Sequence, residues 1–120
     1  MILKSFPTEY QMDAKDCGPA SLKMVAKYFG RYFSLQYLRD KCGITKEGVS
    51  LLGISAAAES IGLHTAAFKC TIDDVVTKIP FPVIVFWNEN HFIVVYHANK
   101  NHVWVSDPVK GHVKYTKHEF

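Results

Sequence analysis

Apolar residues change their spacing about two-thirds of the way along the chain. In the first part the spacing is helical. Ala20, Met24, Val25 and Tyr28 recur three and four residues apart, which predicts a helix over residues 17–29 closed by Gly30. Asp16 stands at the N-cap position, and Pro19 falls in the first turn, where proline is tolerated. Ser34 opens a second, short helix to about Asp40, with Leu35 and Leu38 facing inward and Gly43 following. Ser50 opens a third, whose apolar stripe is Leu51, Ile54, Ala57, Ala58 and Ile61, and Gly62 ends it. The stretch LHTAAFK, residues 63–69, reads as a strand, and TIDDVVTK reads as a short helix with a Thr71/Asp74 start signal. From Pro82 the period shortens to two. VIVFW, HFIVVYHA, HVWVSD and HVKY are β-branched or aromatic runs separated by Asn-, Lys- and Gly-rich turns, the pattern of a four-stranded antiparallel meander. Helices first and strands second is the α+β signature, with N-terminal helices packed on the sheet.

The last residues, TKHEF, repeat the helix-start signal at Thr116 and Glu119 with no helix behind it. Residues 1–120 are accordingly expected to be a single domain, cut from a longer protein or lacking its tail. The length of 120 residues fits one domain, and 48% hydrophobic with 13% aromatic residues describes a chain that buries a core. A net charge of +3 and a pI near 8.7 are mildly basic, but Lys and Arg form no run, so nothing supports a nucleic-acid partner. Three cysteines without a CxxC pair, behind an N-terminus with no apolar signal segment, argue against a disulfide framework and for a reducing compartment. The longest apolar stretch, IPFPVIVFW, is too short to cross a bilayer, so this segment is expected to be soluble even as one domain of a membrane protein.

Cys17 is the unusual cysteine, because it sits at the mouth of the first helix, between Asp16 and Gly18. Free backbone N–H groups and the helix dipole favour a thiolate there, and Gly18 removes a side chain that would crowd a substrate. Taken alone, Cys17 reads equally as a small buried hydrophobe. A nucleophile needs a base, and His91 begins a strand whose alternation places His91, Ile93, Val95 and His97 on one face. A base needs an orienting partner, and Asp107 ends the next strand before Pro108. With a three-residue loop over Asn99–Asn101, Ala98 faces His102 and Asp107 lies diagonal to His91, about 7–8 Å away, within reach of its side chain. A loop one residue longer or shorter turns that face over. Gln11, six residues before Cys17, carries an amide able to donate to an oxyanion, as does the backbone N–H at the helix start. Each of the three also has a plain reading: a solvated turn histidine, a strand-ending Asp-Pro and an exposed glutamine. The remaining histidines show no zinc spacing, and Cys42, Cys70, Trp87 and Trp104 read as structural.

At these residues a resemblance enters. QMDAKDCGPASLKMVAKYFG is similar to the opening of the peptidase domains found at the N-termini of bacteriocin-exporting ABC transporters. HFIVVY resembles that family's histidine strand, VSDPVKG its Asp-Pro-x-x-Gly turn, and GVSLLGISAAAESIGL its third helix, so the likeness runs from about Glu9 to the chain end. Pro19 and the WNEN before His91 depart from it and bear on cleft shape. The resemblance implies a papain-like cysteine peptidase fold in a compact branch, since papain's own cysteine signature is absent. It implies Cys17 as nucleophile, His91 as general base and then acid, Asp107 as orienter and Gln11 as oxyanion donor. The implied reaction removes the leader of a precursor peptide after a double-glycine site, through an acyl-enzyme and without a metal or cofactor. It further implies membrane-spanning and ATP-using domains on the same full-length chain, working as a homodimer at the cytoplasmic face of the bacterial plasma membrane, with the isolated domain monomeric. Two rivals stand beside this reading: a leader-docking module with weak or no turnover, and a thiol sensor or metal site.

Overall fold

The computed structural model describes residues 6–13, 15–45, 48–67, 69–87 and 91–120. Helix α1 covers Cys17–Tyr28, α2 Leu35–Cys42, α3 Leu51–Ser60 and α4 Ile72–Thr77. The start signals act as expected. Ser34 accepts the Tyr37 N–H and Ser50 the Gly53 N–H, while Thr71 and Asp74 complete a reciprocal capping box. Gly30, at φ 80°, lets the chain leave α1, and the Gly30 and Arg31 N–H groups close on the carbonyls of Lys27 and Ala26. Asp16 departs from expectation: it precedes α1, but its side chain makes no cap bond and is wholly buried. In α3 the inward stripe is Ile54, Ala57 and Ala58, continued by Ile61, whereas Leu51 is 41% exposed.

Strands β1 (Val83–Trp87), β2 (His91–Ala98), β3 (His102–Asp107) and β4 (Gly111–Thr116) form one antiparallel sheet in the order β1-β2-β3-β4. Both faces of β2 are covered, so Phe92 through Val95 are all buried. Phe92 packs with Leu22, Leu38, Ile54 and Ala57 of the three N-terminal helices, and Val94 with Phe6, Met24 and Val25. Ile93 and Val95 face the other way, into a second core with Val75, Val103 and Val105, bordered by Trp87, Tyr115 and Phe120. Alternation along one strand thus supplies two cores.

Four expectations fail here. The stretch 63–69 forms no strand among its described residues. The Thr65 N–H donates instead to the Glu59 carboxylate, 2.7 Å away, which removes it from any ladder. The β2–β3 hairpin pairs Ala98 with Val103 rather than His102, because Asn99 Oδ1 takes the N–H groups of both Asn101 and His102 and lengthens the loop. A bulge between Val95 and His97 then breaks the alternation, leaving His97 exposed on the Trp104 ring, 4.7 Å between centroids. Trp104 joins no core and lies against Lys114 and two histidines, unlike Trp87. Thr116 and Glu119 exchange both capping bonds around a single turn. No helix among the described residues is long and apolar enough to cross a membrane.

Candidate active site

Cys17 is the first residue of α1 and is 7% exposed. Its Sγ accepts the backbone N–H of Phe92 at 3.5 Å. One turn on, Ser21 Oγ donates to the carbonyl of the same Phe92 at 3.3 Å. Residues four apart share a helix face, so α1 grips Phe92 of β2 by both its N–H and its carbonyl. Phe92 follows His91 directly. Gly18 has a different task from the expected one. A Cβ there would meet Ile54 Cδ1 at 3.0 Å and Val49 Cβ at 3.4 Å, so its bareness serves the packing of α1 on α3 rather than substrate access.

His91 begins β2 with one-fifth of its side chain exposed, and its Nε2 lies 2.8 Å from Asp107 Oδ1. An ionised carboxylate only accepts, so the proton of that bond sits on Nε2 and Nδ1 is left as the basic nitrogen of a neutral ring. Asp107 is 1% exposed, and the same Oδ1 also accepts the N–H groups of Val109, at 2.8 Å, and Lys110, at 3.3 Å. The carboxylate therefore shapes the turn into β4 as well as the imidazole. The diagonal placement expected from the sequence holds at this end of the sheet. Beyond the bulge the register is Val94 opposite Ser106 and Val95 opposite Val105.

Gln11 lies beside the same turn, its N–H donating to the Pro108 carbonyl at 2.9 Å. Its side-chain Nε2 donates to the Asp13 carbonyl at 3.0 Å, and its Oε1 is buried without a hydrogen-bond partner. A primary amide has two N–H donors, so one orients the group and the other is left over. The four sequence-predicted residues are thus linked in pairs: His91 to Asp107 directly, Cys17 to His91 across the Phe92 peptide, and Gln11 to Asp107 across Pro108.

The other cysteines separate clearly. Burial pushes the Cys42 thiol up to about 11. Cys70 is exposed and joins none of the cores, so its structural reading fails. Among the described residues no three His, Cys, Asp or Glu side chains converge on a metal position. An open hollow of about 670 Å³ between Ile72, Lys100, Asn101, Thr116 and Phe120 contains none of the four candidates. Sequence reasoning missed one feature of the site. Asp16 is paired with Arg39 of α2, and a buried aspartate before the cysteine, read as a cap, gave no hint of that partner. Residues 88–90, before His91, lie outside the described residues.

Comparison with known proteins identifies the family of the chain and its fold. The model of the peptidase C39 family matches residues 5–120. The chain is 35% identical over 116 residues to the lactococcin-G-processing and transport ATP-binding protein LagD of Lactococcus lactis subsp. lactis, covering 92% of this chain and 16% of that one. It is 32% identical over 113 residues to the colicin V secretion/processing ATP-binding protein CvaB of Escherichia coli, covering 94% and 16%. It therefore spans about one-sixth of the length of these relatives. A crystal structure of a double-glycine-motif protease from an AMS/PCAT transporter, in complex with the leader peptide, superposes with a TM-score of 0.92 at 34% identity, over 95% of this chain and 81% of that one. The peptidase domain of Streptococcus ComA, a bi-functional ABC transporter involved in a quorum-sensing pathway, gives 0.86 at 29% identity, over 97% and 90%. The helices and four-stranded sheet described above are the fold of those domains, and the chain belongs to the peptidase C39 family of cysteine peptidases.

Proposed function

We propose that this chain is the single cysteine endopeptidase domain of a peptide-exporting ABC transporter, and that it removes the leader of a precursor peptide after a double-glycine-type site. The observation that carries the reading is the 2.8 Å His91–Asp107 pair, directly before Phe92, whose N–H donates to the Cys17 sulfur. In this reading Nδ1 of His91 takes the thiol proton, and the Cys17 sulfur attacks the scissile carbonyl carbon. The carbonyl oxygen becomes an oxyanion, held by the free N–H of the Gln11 amide and the backbone N–H of Cys17. Asp107 supports the imidazolium that forms. Collapse breaks the C–N bond, and the leaving amine receives its proton from His91. A water, deprotonated by His91, then attacks the thioester, releasing the leader with a free carboxylate and regenerating the thiol. No metal or cofactor is needed for these steps. Two small residues before the cut fit a narrow cleft that excludes side chains.

The relatives are ATP-binding processing and transport proteins. By extension, the full-length protein carries membrane-spanning helices and an ATPase domain, uses ATP there, and works as a homodimer with this domain at the cytoplasmic face of the plasma membrane. The test uses a synthetic precursor with a double-glycine leader, followed by mass spectrometry of the products. The wild type is expected to cut once, after the second small residue, and Cys17→Ala to lose at least about a thousandfold in kcat. A wild type that binds the peptide and leaves it intact makes the chain a leader-docking module instead.

A further inference from the structure

Asp16 raises a separate question. It has no exposed surface, it makes no cap bond to α1, and it stands directly before Cys17. Burying a carboxylate without a partner is costly, so its partners show what the burial is for. Oδ1 lies 2.8 Å from Arg39 Nε, off the line of the N–H, so the contact is an ion pair rather than a straight hydrogen bond. Oδ2 accepts the Asp13 N–H at 3.3 Å. Arg39 also reaches Asp13, with Nη2 at 3.7 Å from Oδ2, while Nη1 rests 3.5 Å from Gln36 Oε1. One guanidinium on α2 thus faces two carboxylates of the segment that enters α1. The Asp13 carbonyl, in turn, accepts the Asp16 N–H at 3.1 Å and the Gln11 side-chain amide at 3.0 Å. The links run without a break from Arg39 through Asp16 and Asp13 to the amide of Gln11, and through Asp16 to Cys17 as its chain neighbour.

We infer that Arg39 is a positioning residue of the active site. Acting through Asp16 and Asp13, it fixes the segment that carries both the oxyanion donor and the nucleophile. This rests on the peptidase reading above. A planar fork suits the role better than a point charge, because it meets two carboxylates at once. Small displacements at such a site are expensive, since misplacement of about 1 Å costs on the order of 100-fold in rate. Substrate affinity, by contrast, does not pass through this network.

The test measures kcat, KM and thermal midpoint on the precursor peptide for Arg39→Met, Arg39→Lys, Gln11→Ala and the Arg39→Met/Gln11→Ala double variant. Arg39→Met is expected to lower kcat about 30-fold with KM within about twofold, and Arg39→Lys to recover to within about fivefold of wild type. In the Gln11→Ala background, Arg39→Met should cost less than it does alone, because one of the two groups it positions is gone. A folded Arg39→Met with wild-type kcat overturns the inference. So does an effect that persists undiminished without Gln11, because the contacts from Arg39 then do not act on the oxyanion donor. Should Arg39→Met fail to fold, Arg39→Lys decides: a kcat drop of about threefold to fivefold supports the inference, and an unchanged kcat overturns it. If the wild type cuts nothing, the peptidase reading falls first, and iodoacetamide labelling then judges Arg39 alone. Labelling of Cys17 should slow several-fold in the variant, next to an uncompensated Asp16, with Cys70 unchanged. Equal rates at Cys17 overturn the inference.

Discussion

Asp107 does two things with one oxygen. It accepts from His91 Nε2 and from the N–H groups of Val109 and Lys110, while being almost fully buried. Removing the side chain therefore strands two backbone donors as well as the imidazole, and loss of turnover in Asp107→Ala cannot be separated from loss of the turn. Asparagine keeps an acceptor oxygen and removes only the charge, an arrangement that cysteine–histidine sites tolerate elsewhere. Asp107→Asn should hold its thermal midpoint near wild type and lose about tenfold in kcat. Asp107→Ala should lose about 1–3 kcal/mol of stability and on the order of a thousandfold in kcat. Denaturant unfolding and peptide cleavage on the same samples check both. If the two variants lose turnover equally, the acceptor role toward His91 is wrong. The candidate site was readable because each residue type limits its own roles: amide, thiol, imidazole and carboxylate, in sequence order, suggest a nucleophilic site. The Asp16–Arg39 pair was not readable, since its partners come from separate elements with no periodic relation.

Elements meet where glycine permits it, and Gly53 is the tightest case. A Cβ at this position of α3 would overlap the backbone carbonyl of Cys42 at the end of α2. Main chain cannot swing aside, so Gly53→Ala must push the two helices apart, at a cost of about 1–3 kcal/mol. Gly18→Ala should cost less, because its Cβ meets mainly the flexible end of Ile54. Midpoints from urea unfolding of the two variants test the order, and a Gly53→Ala as stable as Gly18→Ala would refute it. Helix starts and strand runs were legible here because caps and periodicity are local signals: Ser34, Ser50 and Thr71 each act where the sequence places them. Register was legible only in part. The turn chemistry of Asn99 moved the hairpin by one residue, and the bulge before His97 moved it back. Val94 and Ser106 consequently face each other as counted from the sequence, through two compensating departures. The stretch 63–69 has strand composition but lends the Thr65 N–H to Glu59, a tertiary choice that composition does not record.

The site belongs to the seam between two layers. Gln11 and Cys17 arrive with the helical half, and His91 and Asp107 with the sheet. No single element carries both the thiol and the imidazole, so the docking of the layers sets the distance between them. Few polar bonds cross the seam, and their placement differs. Ser21 Oγ reaches the carbonyl of Phe92, the residue whose N–H contacts Cys17. Ser106 Oγ reaches the Pro7 carbonyl at 3.1 Å and touches Met24, without contacting Phe92. Both hydroxyls are fully buried, and replacing either by alanine should cost about 0.5–1.5 kcal/mol, a loss that leaves a typical domain folded. If alignment of α1 on β2 places the thiol, the two losses will read differently in turnover. Ser21→Ala should reduce kcat about fivefold to tenfold with KM unchanged, while Ser106→Ala should lose no more than about twofold at a similar loss of stability. Equal kcat values for the two variants at equal stability would mean that the Phe92 contact is packing alone, and that Cys17 is placed by its own helix.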